Sequence, residues 1–154
     1  MIYIVASTFY EELSNELIKG ACEVIDKNNA YSSEKLNYEI KKVPGAFEIP
    51  AGVQLIHDVQ QMSATHIDRP SLIITLGVII KGETNHFEQI SDFVFNSISK
   101  LTISSKCPIS FGVISAQNYE QAEERALTNR KNKGAEVAKA GLEMMKLYEK
   151  YKIK

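Results

Sequence analysis

A short polar stretch after a long apolar run holds residues that suit anion binding and proton transfer. The run at residues 72–80 stops at Lys81, and GETNH (residues 82–86) follows before apolar residues return at helical spacing. A turn from strand into helix offers free backbone N–H groups, and the helix dipole favours an anion there. The pattern therefore indicates either a phosphate site or an ordinary helix cap.

His86 lies in the first predicted turn of that helix. Imidazole exchanges protons near neutral pH, so an acid/base role beside an anion site is one interpretation, and a structural histidine is the other. The phosphate loops GxxxxGK[ST] and GxGxxG are absent. His57 and His66 show no metal-ligand spacing with His86 and are interpreted as surface residues, so no metal site is expected.

A second polar cluster, at residues 123–134, carries four basic residues, Arg125, Arg130, Lys131 and Lys133. Such runs are commonly solvated loops. A phosphate clamp is the alternative, and Arg125 is favoured for it because a guanidinium binds phosphate with two parallel hydrogen bonds. The charges are local and no aromatic residues interleave, which argues against a nucleic-acid surface.

Strands and helices alternate along the chain. Four apolar segments predict strands at residues 2–6, 36–43, 72–80 and 108–114. Helical spacing predicts helices at residues 11–27, from about 46 or 48, from 87, from 118, and at 133–151. This alternation predicts an α/β fold with a central parallel four-stranded sheet and helices on both faces.

The predicted sheet brings the polar segments together. Ligands of open α/β sheets bind outside the carboxyl ends of the strands. That edge contains residues 7–9, 44–48, 81–86 and 115 onward. Phe9 and Phe111 are predicted at or just before strand ends, where an aromatic ring is either core or a cover for a planar ligand.

Composition sets the class of protein. The chain has 154 residues, 44% of them apolar, and a formal net charge of −1. We expect one domain over residues 1–154, with no general attraction to nucleic acid or membranes. No apolar run reaches the about 18 residues of a membrane span, and no signal peptide is evident, so a cytoplasmic location is expected. Cys22 and Cys107 are interpreted as buried apolar residues in a reducing compartment.

Five motifs occur in an order that resembles the 6,7-dimethyl-8-ribityllumazine synthase family. They are VPGAFEIP (43–50), KGETNHFE (81–88), FGV (111–113), NYEQAEERA (118–126) and NKGAE (132–136). The resemblance covers nearly the whole chain and implies a flavodoxin-like three-layer αβα sandwich. It also implies condensation of 5-amino-6-(D-ribitylamino)uracil with 3,4-dihydroxy-2-butanone 4-phosphate, with loss of phosphate and water, in riboflavin biosynthesis.

The resemblance implies a role for each matching residue. Phe9 would stack on the pyrimidine, Ala46, Phe47 and Glu48 would hold the ribityl chain, and the backbones of Ile79 and Ile80 would read the uracil edge. Glu83 and Thr84 would bind phosphate by backbone N–H groups, and His86 would shuttle protons. A neighbouring subunit would supply Phe111 over the ring, Arg125 to the phosphate and Lys133 to the pocket wall. No metal or organic cofactor is implied.

The resemblance also has departures and rivals. The family usually has Arg or Trp, and then Asn, around the position of Phe9, where this chain reads STFY (7–10). The chain begins at its first strand, and residues 54–70 form a longer stretch than usual, so a homopentamer is expected but a decamer or a sixty-subunit shell stays open. The rivals are an archaeal-type riboflavin synthase, a non-catalytic flavin- or lumazine-binding or shell protein, and a receiver-like signalling domain.

Overall fold

The computed structural model describes residues 1–62, 71–83 and 86–151, and for residues 59–62 it describes the backbone. Its four strands are β1 (Ile2–Ser7), β2 (Tyr38–Val43), β3 (Leu72–Ile80) and β4 (Ile109–Ala116). They form one sheet in the order β2-β1-β3-β4, and every neighbouring pair is parallel. The predicted parallel four-stranded sheet is confirmed.

The strands differ in burial as their positions in the sheet require. All residues of β3 from Leu72 to Ile79 are buried, because β3 has a strand on each side and helices on both faces. Strand β2 lies at the edge, and its four central residues are exposed. The unbroken apolar run of the third strand therefore indicated a central strand, whereas the alternation of apolar and polar residues in the second strand does not appear as an alternation in burial.

In the described ranges, five helices cover the sheet: α1 (Glu11–Tyr31), α2 (Ile49–Met62), α3 (His86–Ser104), α4 (Tyr119–Ala126) and α5 (Lys133–Lys150). A short 3-10 helix, Ala46–Glu48, precedes α2. Buried residues of α1, α4 and α5 pack together on one face of the sheet, and those of α2 and α3 pack on the other. This arrangement confirms the three-layer αβα sandwich.

Two predicted boundaries were wrong for a clear reason. Helix α1 continues through Asn28 and Asn29 to Tyr31, because Asn29 does not stop the helix. Its side chain instead binds the backbone of Leu36, with Oδ1 accepting at 2.7 Å and Nδ2 donating at 2.9 Å. Consequently the connection shifts downstream and β2 begins at Tyr38 rather than Leu36.

Three side chains also differ from their expected settings. Leu55, predicted on the apolar side of the second helix, is 66% exposed. Cys22 is only half-buried, whereas Cys107 is buried as expected, and burial raises the pKa of both thiols. His57, interpreted as a surface residue, has a largely covered side chain beside Asp58, and His66 lies outside the described residues.

Helices α1 and α5 approach so closely that two positions require glycine. A Cβ on Gly134 would lie 2.0 Å from the carbonyl oxygen of Leu17, and a Cβ on Gly20 would lie 2.1 Å from Oδ1 of Asn132. These contacts fix the start of α5 against the second turn of α1. None of the helices in the described ranges is long and apolar enough to cross a membrane.

Candidate active site

The carboxyl edge of the sheet collects most of the predicted site residues. We use this name for Phe9, Ala46–Glu48, Ile79–Glu83 and His86. Phe9 follows β1 directly, and the 3-10 helix after β2 packs against β1, β3 and α3. The end of β3 and the start of α3 complete the edge, so the expected convergence of strand ends occurs within one chain.

The 3-10 helix places a carboxylate and an aromatic ring beside each other. The N–H of Glu48 donates to the carbonyl of Gly45 at 3.2 Å, which closes the turn. A Cβ on Gly45 would lie 2.8 Å from Oε2 of Glu48, so this glycine leaves room for the carboxylate. Ala46 is buried beneath the turn, while Glu48 stays exposed and able to accept hydrogen bonds from hydroxyl groups.

Two exposed aromatic rings give the carboxyl edge its apolar surface. Phe9 is 73% exposed and meets the ring of Tyr10 edge-on at 5.0 Å. Phe47 is 51% exposed and stacks on Phe93 of α3 at 4.3 Å, with 21° between the planes. Phe93 was predicted only as part of the apolar side of α3, because its spacing cannot reveal a partner in the distant 3-10 helix.

The end of β3 leads into an open turn. Ile79 and Ile80 pair with the end of β4, and the N–H of Lys81 donates to the carbonyl of Ala116 at 2.9 Å. Among the described residues other than its chain neighbours, no heavy atom lies within 4 Å of the Cβ position of Gly82, and its φ is not positive. Packing against the described residues and backbone conformation therefore do not require glycine at this position.

The residues after Gly82 lead directly into α3. Glu83 is exposed, and Thr84 lies outside the described residues. His86 is the first residue of α3 and is exposed at its amino end. Lys81 and Glu88 form an ion pair across this turn at 2.9 Å, and the Lys81 ammonium lowers the pKa of the Glu88 carboxyl. Positive backbone dipoles and a proton-exchanging side chain therefore occupy the same corner.

The other predicted cationic residues lie on the opposite face. Arg125 is on α4 and Lys133 begins α5, and both helices pack on the α1 side of the sheet, whereas His86 begins a helix on the α2 side. The Arg125 guanidinium donates to the carbonyl of Gln121 at 3.2 Å, and within the described ranges it has no carboxylate partner. Lys133 pairs with Glu136 at 2.7 Å.

Phe111 is not at a strand end, as the sequence had suggested. It is the third residue of β4 and pairs with Thr75, because β4 continues to Ala116. At about 3.3 Å per residue, Phe111 lies roughly 16 Å before the end of its strand. It meets Phe95 of α3 edge-on at 5.6 Å, so it is displaced from the carboxyl edge of its own chain.

Beside Phe111, a hollow of about 220 Å³ lies between α3 and β4. Its lining includes Ile79, Asp92, Phe95 and Phe111, together with Ser91 and Ser115, whose hydroxyl groups are 3.2 Å apart. Of the described residues of the carboxyl edge, Ile79 lines this hollow, whereas Phe9, Phe47, Glu48 and His86 do not. Within one chain, Phe111 therefore shares a hollow with the end of β3 but is separate from the exposed rings, the carboxylate and the histidine of the edge.

Exposed aromatic rings, a carboxylate and a histidine make up much of the described part of the carboxyl edge. Within the described part of the chain, no three His, Cys, Asp or Glu side chains converge as a metal site would require.

Asn118 caps α4 by accepting from the N–H of Gln121 at 2.9 Å. The side chain of Gln121 reaches the N–H of Gln117 instead of Asn118, which differs from a capping box.

Known proteins resemble this chain along nearly its whole length. Residues 1–149 match the family described as 6,7-dimethyl-8-ribityllumazine synthase. A protein of that name from Leuconostoc mesenteroides is 38% identical over 98% of this chain and 90% of its own length. Proteins of the same name from Buchnera aphidicola and Chlorobium phaeobacteroides are 36% and 33% identical, over 95% and 96% of this chain and 86% and 88% of their own lengths.

Proposed function

Because the chain belongs to the 6,7-dimethyl-8-ribityllumazine synthase family, we propose that it condenses 5-amino-6-(D-ribitylamino)uracil with 3,4-dihydroxy-2-butanone 4-phosphate. The products are 6,7-dimethyl-8-ribityllumazine, phosphate and water, in the synthesis of riboflavin. The observation that carries this proposal is the carboxyl edge, where exposed rings, the Glu48 carboxylate, the open Gly82 turn and His86 converge.

The pyrimidine substrate uses the side of the edge formed by β1, β2 and β3. The exposed ring of Phe9 stacks on the flat heterocycle, and the backbone of Ile79 and Ile80 reads its polar edge. The ribityl chain lies along Ala46–Glu48, where the Glu48 carboxylate accepts hydrogen bonds from its hydroxyl groups. This division matches an apolar surface to the ring and a polar turn to the sugar chain.

The phosphate-bearing substrate uses the open turn before α3. Backbone N–H groups at Gly82, Glu83 and Thr84 bind the phosphate, and the helix dipole stabilises the negative charge. His86 exchanges protons as the amine and carbonyl condense to an imine and the ring closes. Fixed positions for the two substrates provide most of the acceleration, because these steps need orientation more than an unusual group.

Arg125, Lys133 and Phe111 of a neighbouring copy complete the site. In one chain these residues lie away from the carboxyl edge, on the α1 face or in the middle of β4. A neighbour's Arg125 neutralises the departing phosphate, its Lys133 lines the pocket, and its Phe111 covers the ring. The guanidinium is available for this role because it has no carboxylate partner in the described ranges.

Self-association is part of the proposal, with a homopentamer as the unit. The α2–α3 side of the chain exposes large apolar side chains, with Leu55 66%, Phe95 55% and Ile103 89% exposed. Apolar surface of this kind is normally covered in an interface. Each subunit is one domain over residues 1–154 and works in the cytoplasm, which agrees with its two free cysteines.

A mixing assay tests the function. The two substrates are combined with purified protein, and the fluorescence of the lumazine is compared with a control without protein, because the reaction also proceeds slowly unaided. Acceleration that Arg125→Ala removes supports the synthase and its phosphate site. A folded, assembled protein that binds the ring without acceleration would instead be a binding or shell protein of the same family.

A further inference from the structure

One residue of the connection between α4 and α5 has all of its polar groups occupied. We call Leu127–Asn132 the α4–α5 loop. The N–H of Thr128 donates to Oε2 of Glu16 at 2.9 Å, and the Thr128 hydroxyl donates to the same oxygen at 2.8 Å. The carbonyl of Thr128 accepts from Nδ2 of Asn132 at 3.4 Å. A carboxylate on α1 therefore holds this loop by both its backbone and a side chain.

The network continues into the first turn of α5. Asn132 adopts the left-handed conformation with φ 48°, which asparagine tolerates better than most residues. Its Oδ1 accepts from the N–H of Ala135 at 3.1 Å and caps α5, whose first residue is Lys133. The Glu16 carboxylate is thus connected through Thr128 and Asn132 to the first turn of α5, which contains Lys133.

The same contact lies close to Arg125, which precedes Thr128 by three positions. Arg125 is in the last turn of α4, and α4 ends by a hydrogen bond from the N–H of Leu127 to the carbonyl of Glu123 at 3.0 Å. A shift of the loop would therefore move the end of α4 and the start of α5 together. Glu16 is 112 positions from Thr128, so it ties the loop to a separate helix.

The chemistry of the contact makes it stronger than an ordinary surface pair. Hydrogen bonds to an ionised acceptor are shorter and stronger than neutral ones. The N–H of Thr128 is the main cause that lowers the pKa of Glu16, followed by the Thr128 hydroxyl, and Lys19 adds a contact at 3.7 Å. The carboxylate is therefore ionised at neutral pH.

We propose that Glu16 is a positioning residue that holds Arg125 and Lys133 in the orientation required by the site of a neighbouring copy. Glu16 acts through Thr128 and the α4–α5 loop. This inference rests on the proposed function, because it assigns a role to the loop only if Arg125 and Lys133 act in that reaction.

Steady-state kinetics with Glu16→Ala and Glu23→Ala tests the proposal. Glu23 is a matched control because it is an exposed glutamate on the same helix, seven positions further along. Glu16→Ala should lower kcat/KM for the butanone phosphate by about tenfold, the size of one lost charged hydrogen bond, with a much smaller change in KM for the pyrimidine. Glu23→Ala should match the wild type.

Two further measurements separate positioning from a general loss of structure. Amide hydrogen exchange at residues 125–133 should accelerate in Glu16→Ala but not in Glu23→Ala, while exchange in β3 stays unchanged. In the background of Arg125→Ala combined with Lys133→Ala, Glu16→Ala should add little further loss of activity. If Glu16→Ala does not fold, Thr128→Val replaces it, since this change removes the hydroxyl and keeps the backbone N–H.

The outcomes distinguish this inference from the function it rests on. A wild-type protein that forms no product removes the proposed function and this proposal with it. If the wild type is active, but Glu16→Ala and Glu23→Ala have equal kinetics and equal amide hydrogen exchange, the positioning role of Glu16 is wrong and the proposed function stands. A full, independent loss from Glu16→Ala in the background of Arg125→Ala combined with Lys133→Ala also contradicts it, because Glu16 would then act without either cationic residue.

Discussion

The carboxyl edge and the α4–α5 loop hold their chemistry by different means. At the edge, functional groups extend from the ends of β1 and β3, and the rings of Phe9 and Phe47 are exposed. At the loop, the Glu16–Thr128 contact and the Asn132 cap hold the backbone, with Arg125 just before the loop on α4 and Lys133 just after it on α5. The edge is thus an exposed surface, whereas the loop is a hydrogen-bonded segment between two cationic side chains.

Glycine shows the same contrast. At the edge, a Cβ on Gly82 would meet open space, but next to the loop a Cβ on Gly134 would collide with the carbonyl of Leu17. The first glycine therefore leaves room for something outside the chain, and the second leaves room for another helix. Two half-sites with these properties suit a site that is assembled from two copies, one of which presents a surface and the other a clamp.

The largest expected effect distinguishes Arg125, in the last turn of α4, from Arg130 in the α4–α5 loop. Arg125→Ala should lower kcat/KM by about 100-fold, because a charged hydrogen bond to the phosphate contributes about 1.5–3 kcal/mol. Arg130→Ala should change it little, since Arg130 pairs with Glu123 and Glu124 at the surface, where such pairs contribute about 0–1 kcal/mol. Kinetics on both variants checks this, and equal losses would contradict a specific phosphate role for Arg125.

The next prediction tests whether the two half-sites belong to different copies. Arg125→Ala chains and Phe9→Ala chains should each be nearly inactive alone. After joint refolding, about a quarter of the sites in randomly mixed rings combine an intact edge with an intact loop. Activity should therefore return to about a quarter of the wild-type value. No recovery in verified mixed assemblies would place both residues in the site of one chain.

A smaller effect is expected when each of the two glycines is replaced by alanine. Gly82→Ala should leave the free energy of unfolding within about 0.5 kcal/mol of the wild type, because its methyl group would contact none of the described residues beyond its chain neighbours, while KM for the butanone phosphate rises. Gly134→Ala should destabilise by about 1–3 kcal/mol, since the clash outweighs the about 1 kcal/mol gain in helix propensity. Denaturant titration and kinetics on both variants check this, and a destabilised Gly82→Ala would sink the contrast.

The sequence predicts features of the fold and the site that depend on neighbouring residues better than those that depend on segments far apart in the chain. The β3 run and the turn at residues 81–86 are local patterns, and the structure places them at the expected edge. The end of β4 was predicted two residues early, because Ser115 is polar and yet lies in the strand. This error put Phe111 near a strand end and made it look like a neighbour of Phe9.

Contacts between distant segments could not be predicted from spacing. From the sequence alone, Glu16 is an unremarked polar residue of a helix and Thr128 an unremarked polar residue of a loop. In the structure they form hydrogen bonds although they are 112 positions apart in the sequence. The stacking of Phe47 on Phe93 joins two elements in the same way. The one local signal was the glycine at positions 20 and 134, but a glycine alone does not identify the element that approaches it.

At the edge, His86→Gln should slow turnover by about tenfold, a modest loss for an acid/base group, because orientation of the two substrates provides most of the acceleration. The variant should bind both substrates with unchanged KM, since the proposed phosphate contacts, from backbone N–H groups and Arg125, do not involve the imidazole. The pH dependence of kcat should also change in the variant. An unchanged kcat with a raised KM would make His86 a binding residue.

The smallest expected effect is the loss, at low pH, of the stability that Glu16 contributes by holding the α4–α5 loop. The pKa of Glu16 is lowered in the folded chain from its ordinary value of 4.5, chiefly by the N–H of Thr128. The stability that this charge contributes is therefore fully present above pH 4.5 and is lost as the pH falls through the folded pKa. Glu16→Gln keeps a hydrogen-bond acceptor but has no charge, so it should be about 1 kcal/mol less stable than the wild type at pH 7.

That difference should shrink toward zero in acid, because both proteins then carry a neutral side chain at this position. Urea titrations of the two proteins at pH 7 and at a series of decreasing pH values below 4.5 measure it. A difference that stays constant throughout the series would show that the amide disturbs the loop by its shape. The charge of Glu16 would then have no part in holding the α4–α5 loop against α1.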